Sequence, residues 1–331
     1  MKYLIAGGTG LIGRALAKSL LGDGHQVTVL TRNPEKAKQV LPKGTTIEWW
    51  EQPIPGFVGH TNPPAWPKRI GEAQAIINLT GESLTGNSIP AILTDRWTSK
   101  KKQRILESRM LAGSTLSVVF EEACQYQTSR SMMDPSVTVP EVFVQSSAVG
   151  YYSPSGTQVV TEASPAGTDF LAKVCLSAES STADLDQAGY RRIVLRTGLV
   201  LSPEGGILPL MLLPFRMLIG GPLGDGTQPI PWIHIDDQVE AIKFLTNNPE
   251  ARGAYNLTAP NPVDYNQFAK IASKVLHRPN WLHIPAFALK LALGEKSNLV
   301  LQGQHALPER LLQAGYQFKY TELESALYDL T

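Results

Sequence analysis

Cysteine is scarce: Cys124 and Cys175 are the only two among 331 residues. They lack metal-ligand spacing and suggest no disulfide framework, so free buried thiols in a reducing compartment are expected. An excess of either charge is also missing. Lys and Arg number 30 against 29 for Asp and Glu, a formal net charge of +1. That balance gives no support to nucleic acid or an acidic membrane as the main partner. The local run Lys100-Lys101-Lys102 reads as a solvated helix face or a phosphate contact. Long hydrophobic runs are missing too. The most apolar stretch, residues 207–219, is broken by Pro209, Pro214 and Arg216. It is too short for an integral membrane segment and is expected to be a core or lid element. No signal peptide is read ahead of the first strand, no internal repeat is seen, and the tail is not of low complexity. A cytoplasmic protein is expected, or one of an organelle stroma if a transit peptide has been removed.

What is there begins at residue 2. Lys2 to Ala6 reads as a buried strand, and Gly7-Gly8-Thr9-Gly10-Leu11-Ile12-Gly13 follows it. Apolar residues Leu16, Ala17 and Leu20 then recur at helical spacing. A strand, a Gly-x-x-Gly-x-x-Gly turn and a helix form the phosphate-binding corner of a dinucleotide fold. Gly7 allows the tight turn, Gly10 lets backbone N–H groups approach a pyrophosphate, and Gly13 lets the helix pack on the strand. A second strand over residues 24–30 has the expected separation. At its end an NAD-preferring site usually carries an Asp or Glu. This chain has Thr31-Arg32-Asn33-Pro34, with no carboxylate before Glu35. A carboxylate would repel a 2′-phosphate, whereas a guanidinium and a hydroxyl bind one. The reading is NADP(H), held at Thr31 and Arg32, although an Arg at a strand end is also an ordinary solvated group.

Strand and helix signals alternate through the first two-thirds of the chain, which predicts an α/β fold with a doubly wound, Rossmann-type parallel sheet. Further strands are expected at residues 75–79, 142–147 and 192–198, and a long helix over residues 96–122. Residues 126–140 have the composition of a surface loop. From Leu201 proline and glycine become frequent. The expected division is a dinucleotide-binding domain over residues 1–200, its sheet completed by parts of 228–260. A smaller, mixed α/β substrate-side region follows over 201–331, with 279–331 as a small C-terminal domain. Helices are expected to open after Trp232-Ile233-His234-Ile235-Asp236-Asp237 and over residues 262–277.

Several spaced motifs occur in order: residues 7–13, Thr31-Arg32, Asn78-Leu79-Thr80-Gly81-Glu82, Arg96-Trp97, Ser108-Arg109 and Ser147-Ala148-Val149-Gly150-Tyr151-Tyr152. Then come Arg196-Thr197-Gly198, Leu213-Pro214-Phe215, residues 220–224, residues 231–237 and, in the tail, Pro285-Ala286-Phe287, Gly294-Glu295 and Ala314-Gly315-Tyr316. Together they resemble the extended short-chain dehydrogenase/reductase superfamily. More narrowly, they resemble its atypical epimerase-like family, the sugar-nucleotide epimerase-related proteins, with cyanobacterial and plastid members described as cell-division inhibitors. The resemblance implies NADP(H) held at the glycine turn, at Thr31-Arg32 and along Leu79, Thr80, Gly81 and Glu82. It also places Arg109, Ser146 and Val200 against the cofactor. A homodimer through helices flanking the sheet is a further implication.

What is absent again carries information. Catalytic members of that superfamily use a Tyr-x-x-x-Lys pair with a Ser; the spacing sets both side chains on one helix face. Here Tyr151 is followed four residues on by Ser155, and Tyr152 by Gly156. Registering Glu179 on the superfamily's helix puts Leu171 and Cys175 where the Tyr and Lys would stand. Candidate substitutes are Ser147, Tyr151 and Tyr152, with one of the two tyrosines read as a packing residue with a tethered hydroxyl. Glu82, His234 and Asp236 are candidates for the substrate side, although His234 with Asp236 as N-cap equally fits a helix-orienting role. The Gly220-to-Gly226 loop with Trp232 is expected to shape the substrate pocket. Two readings follow: an oxidoreductase or epimerase acting on an unknown carbonyl or sugar-nucleotide-like small molecule, or an NADP(H)-binding regulator or scaffold with a protein partner.

Overall fold

The computed structural model describes residues 1–50, 66–84, 96–134 and 137–331. Its centre is a sheet of seven strands: β1 (Lys2–Ala6), β2 (Gln26–Thr31), β3 (Thr46–Trp49), β4 (Ala75–Asn78), β5 (Val142–Ala148), β6 (Arg192–Thr197) and β7 (Gly253–Leu257). All pairings are parallel, in the order β7-β6-β5-β4-β1-β2-β3. The order turns back between β1 and β4, so a crevice for a ligand is expected where their C-terminal ends diverge.

Successive strand residues point to opposite faces, and both faces are apolar, as a sheet covered on two sides requires. Tyr3, Ile5, Val27, Val29, Ile77 and Val144 are buried on one face, with Leu16 and Leu20 of the helix Leu11–Gly22 and Val239, Ile242 and Leu245 of the helix Ile235–Asn247. Leu4, Leu30, Ile76 and Phe143 are buried on the other, with Leu116 and Phe120 of the helix Ser99–Ser131. Each such side chain contributes about 1.5–3 kcal/mol when fully buried. A second core joins Leu201, Leu208, Phe215, Trp232 and Phe268 to Leu323, Leu327 and Leu330 near the C-terminus.

Three features depart from the sequence reading. β3 lies at the sheet edge with two of its four residues exposed, so it lacks the continuous apolar run that marks a central strand. The long helix does not stop near residue 122 but continues to Ser131. Its extension faces solvent, where Ser129 Oγ donates to Gln125 O, and Gln127 Nε2 is anchored on Gly71 O. The polar side chains thus bond back to the helix or its neighbour instead of turning the chain. Residues 135 and 136 of the expected loop lie outside the described residues. Trp232 is fully buried in the second core, with Nε1 donating to Asn261 O at 3.2 Å; its size and burial make it a packing residue and not a pocket wall. No helix among the described residues is long and apolar enough to cross a membrane.

Candidate cofactor and catalytic site

The glycine turn leaves β1 at its C-terminal end, beside β4. Gly7 has φ +79°, and a Cβ there would lie 2.7 Å from Leu79 O. Leu79 N donates to Ala6 O at 2.8 Å, which brings the two strand ends together. Gly13 is buried, and a Cβ on it would lie 2.5 Å from Gly8 Cα. The first turn of the helix therefore rests directly on the backbone of the loop. Gly10 differs: its Cβ would meet only Gly7 O, at 3.4 Å. The protein's own atoms leave that side of the loop open.

Gly10 is the N-cap of the helix Leu11–Gly22, without a side-chain cap and without an acidic residue in the first turn. The leading N–H groups and the positive end of the helix dipole are available to an anion. Val200 follows β6 in the short strand Leu199–Leu201, which pairs with Trp232–His234. Beyond it, a Cβ on Gly206 would lie 3.0 Å from Leu11 Cδ2, so residues 200–206 border the same turn. Thr9 and Ile12 are partly buried in this group.

Thr31 ends β2 and is buried, its Oγ1 accepting from Asn33 N at 3.2 Å. Arg32, next to it, is exposed. Asn33 caps the following helix by accepting from Lys36 N. Proline in that helix's first turn and the Asn cap set where β2 stops and therefore where Arg32 stands. At the end of β4 the buried Asn78 donates to Gln145 Oε1 at 2.9 Å and accepts from Thr80 N at 3.1 Å and Thr80 Oγ1 at 2.5 Å. That network holds Thr80 and Gly81 in place. Glu82 is paired with Lys101 and Arg104, each at 3.1 Å, so its carboxylate is occupied by the long helix.

β5 delivers Ser146 and Ser147. Ser146 O accepts from Gln145 Nε2, and Ser147 Oγ donates to Glu179 Oε1 at 2.7 Å. Glu179 is gripped from both oxygens by Arg196, at 3.0 and 2.9 Å. Burial works against the Arg196 charge, but the Glu179 carboxylate prevails and holds it above its ordinary value. Tyr152 is buried; its hydroxyl accepts from Arg196 Nη1 at 3.0 Å and donates to Asn256 Oδ1 at 2.8 Å. Burial raises its pKa despite Arg196, the opposite of what an activated catalytic tyrosine needs. Tyr152 is the tyrosine with the tethered hydroxyl. Tyr151 is only partly buried, its ring 3.4 Å from the Arg196 Cζ.

Leu171 and Cys175 lie on the face of the helix Phe170–Ser180 that looks onto this strand end. A Cβ on Gly150 would sit 3.4 Å from Leu171 Cβ and 3.8 Å from Cys175 Sγ. Burial pushes the Cys175 thiol up to about 11. Neither position carries a group able to move a proton near neutral pH.

His234 and Asp236 lie elsewhere. His234 is buried and is itself the N-cap of the helix Ile235–Asn247, its Nδ1 accepting from Asp236 N at 3.0 Å. The expected N-cap role of Asp236 is thus corrected: the chain is still extended at His234, so the cap falls there. The His234 ring stacks on Tyr320 at 3.9 Å, and Nε2 lies 3.3 Å from Asp329 Oδ2. Its partners belong to the C-terminal segment.

Sequence reasoning missed the partners of Ser147, Asn78 and Tyr152. These pairs are 32, 67 and 104 residues apart, and no local pattern announces them.

A match to the family model described as the NAD dependent epimerase/dehydratase family covers residues 3–258. The chain belongs to that family. A second model, a domain of unknown function (DUF1731), matches residues 284–330. The family's curated members include the chloroplastic epimerase family protein SDR39U1 homolog of Arabidopsis thaliana. It is 36% identical over 327 residues, 99% of this chain and 86% of the relative. The epimerase family protein YfhF of Bacillus subtilis is 35% identical over 331 residues, covering 100% and 98% of the two chains. Among solved structures, human epimerase family protein SDR39U1 (isoform 2), crystallised with NADPH, matches with a TM-score of 0.80 and 29% identity over 100% of this chain and 99% of that one.

Proposed function

We propose that this epimerase-family protein binds NADP(H) and acts as an oxidoreductase or epimerase on a carbonyl or sugar-nucleotide-like small molecule. The observation that carries the reading is the pair of groups around the glycine turn. On one side is an uncapped helix N-terminus behind Gly10, where a Cβ would meet only Gly7 O. On the other is an exposed Arg32 beside Thr31, where a carboxylate would select NAD. The human relative crystallised with NADPH supports the same choice. In this reading Gly7, Gly8, Thr9, Gly10, Leu11, Ile12 and Gly13 cradle the pyrophosphate. Thr31 and Arg32 hold the 2′-phosphate, and Leu79, Thr80, Gly81, Ser146 and Val200 border the rest. Glu82 orients the long helix through Lys101 and Arg104.

The residues present fit the dinucleotide, which when bound supplies or takes a hydride. Ser147 and Tyr151 are the groups assigned to the substrate oxygen. Ser147 offers a hydroxyl whose proton is directed at Glu179, leaving its lone pairs for a substrate hydroxyl. Tyr151 offers a phenol at the rim. Tyr152 positions Arg196 and, through it, Glu179. A second reading, binding without turnover in a regulator or scaffold, is favoured by one observation: the Tyr and Lys positions hold Leu171 and the un-ionised Cys175.

Titration of the purified protein with NADPH and NADH, repeated on Arg32→Ala, tests the cofactor reading. The expected result is a preference for NADPH that falls about tenfold to a hundredfold in the variant, the worth of one charge-assisted contact of ~1.5–3 kcal/mol. Equal binding of the two cofactors by the native protein would refute it. Turnover separates the two functional readings. Oxidation of NADPH with any substrate in a carbonyl and sugar-nucleotide panel, lost in Ser147→Ala, is expected for the enzyme.

A further inference from the structure

The apolar stretch over residues 207–219 divides in two. Leu208, Leu212 and Phe215 of the helix Leu208–Arg216 are buried in the second core, whereas Arg216, Met217, Leu218 and Ile219 all stand in solvent. Leu218 has φ +64°. Its N–H donates to Phe215 O at 2.9 Å and Ile219 N to Pro214 O at 2.9 Å, the paired bonds of a helix end whose left-handed residue is ordinarily glycine. A leucine there is strained. Its side chain is 52% exposed, so no burial offsets the cost.

The helix Tyr265–Leu276 ends in the same way at His277, φ +52°, with Arg278 N on Ser273 O at 3.0 Å. Leu218 and His277 are the only non-glycine residues with positive φ among the described residues, and both turns lead into one surface. Past His277 the chain reaches Trp281, 65% exposed, whose Nε1 donates to Leu218 O at 2.9 Å and whose N–H donates to Gly220 O at 3.0 Å. Residues 220–224 and 281–286 then run side by side, Ile284 N donating to Pro222 O and Gly224 N to Ile284 O. The helix Ala286–Leu293 follows with no buried residue; Phe287 and Leu291, one turn apart, are 73% and 80% exposed.

Charge is as one-sided as exposure. Residues 205–224 and 265–294 contain no Asp or Glu but hold Arg216, Lys270, Lys274, Arg278 and Lys290. Of these, Lys274 alone has an ion-pair partner among the described residues, Glu324. The near-zero charge of the whole chain conceals this. Aromatic and aliphatic side chains beside Arg, without carboxylates, are the composition of an interface.

We propose that this face docks an acidic amphipathic segment of a partner protein, whose apolar side chains meet Leu218, Trp281, Phe287 and Leu291 and whose carboxylates meet Arg216, Arg278 and Lys290. Two other occupants fit less well. A second copy placed by two-fold symmetry would set cations against cations. A fluid bilayer takes up apolar side chains in any arrangement, whereas this tip is held in one shape by backbone bonds and the indole, at a cost in strain. Fixed anchors suit a partner of defined shape, because less is lost in ordering them on binding. None of these residues is assigned to the cofactor or the substrate oxygen, so docking here and NADP(H) binding fail separately.

Display selection of random peptides on the full-length protein, followed by titration of a synthesised winner, tests the assignment. The expected peptides place Asp or Glu beside Leu, Phe or Trp at helical spacing. Leu218→Gly is expected to weaken peptide binding about tenfold while the urea midpoint holds or rises, since glycine relieves the strain. Phe287→Asp, and Arg216→Glu combined with Lys290→Glu, should each weaken it by at least about tenfold; unfolding midpoints show that the variants are folded. Selected peptides without acidic residues, or selection of none, overturn the proposal. So does peptide binding untouched by all three variants. Binding of phosphatidylglycerol vesicles that is lost in these variants, with no peptide selected, assigns the face to a membrane instead. Self-association of the native chain that is lost in Leu218→Gly assigns it to a second copy. Either result overturns docking of a partner protein.

Discussion

Tyr151 and Tyr152 are adjacent in sequence and of the same chemistry, yet their surroundings separate them. The Tyr152 hydroxyl sits between Arg196 and Asn256, and Asn256 in turn bonds Leu307 O and, through its backbone N–H, Glu162. Removing that hydroxyl leaves a buried guanidinium N–H and a buried amide oxygen short of a partner. Tyr152→Phe is therefore expected to destabilise the protein by about 1–3 kcal/mol. Tyr151→Phe, lacking such a network, should cost less than ~0.5 kcal/mol. Urea unfolding of the two variants checks this, and equal losses would mean that the network carries little. If Tyr151 meets the substrate, its variant should instead show lowered turnover in an otherwise stable protein.

Among the elements, the glycine turn and the helix behind it act as one unit. Gly13 is the joint, since a Cβ would press to 2.5 Å of Gly8 Cα and 2.8 Å of Gly8 C and O, backbone atoms with little freedom to yield. Gly13→Ala should push the helix off the loop. The expected result is loss of NADPH affinity by at least about tenfold with a stability loss of ~1–3 kcal/mol. Gly10→Ala gives the complementary case: the Cβ meets only Gly7 O, so stability should hold while binding falls. Thermal unfolding alongside cofactor titration separates the two. A Gly10 variant that binds NADPH normally would show that the ligand does not approach that side of the turn. The helix Ser99–Ser131 serves two regions at once. Its N-terminal turns carry Lys101, Arg104 and Arg109 toward the site, and its middle packs Leu116 and Phe120 on the sheet.

Across the whole molecule, the C-terminal segment is fastened to the nucleotide-binding part through the helix Ile235–Asn247. The buried Asp237 accepts from Lys319 N at 2.8 Å, Tyr320 N at 2.9 Å and the Tyr316 hydroxyl at 3.0 Å. His234 stacks on Tyr320 nearby, beside Asp329. Burial holds His234 below its ordinary value of 6.5, although Asp236, Asp329 and Asp237 pull it up; Lys319 adds to the lowering. The unfolded chain therefore binds a proton at this site more readily than the folded one. The linked stability is complete above pH 6.5 and is lost as pH falls from there toward the lower folded value. His25, also lowered by burial, adds to the same slope. Urea midpoints are expected to drop between pH 7.5 and 5.5, and His234→Asn, which keeps a cap acceptor without a titrating ring, should flatten part of that drop. An unaltered slope in the variant would remove His234 from the account.

How much of this was legible beforehand depends on the range of the signal. The glycine turn, β1, β2, β4, β5 and β6, the helices after residues 231–237 and 262, and the open strand end at Thr31-Arg32 all follow from patterns within a dozen residues, because backbone conformation and side-chain alternation are local. The absence of the Tyr-x-x-x-Lys pair was equally local. β3 was hidden because an edge strand with two exposed residues lacks an apolar run, and the helix beyond residue 122 because its Ser and Gln side chains bond in ways composition does not reveal. Which tyrosine is tethered, that Glu179 is shared by Ser147 and Arg196, that His234 faces Tyr320 and that Arg109 lies against Gly81 were decided only by the tertiary structure. A hydrogen bond or an ion pair needs its partner within a few ångströms, and that distance between residues far apart in the chain is set by how the sheet and its two helical layers close, not by either residue's neighbours in sequence.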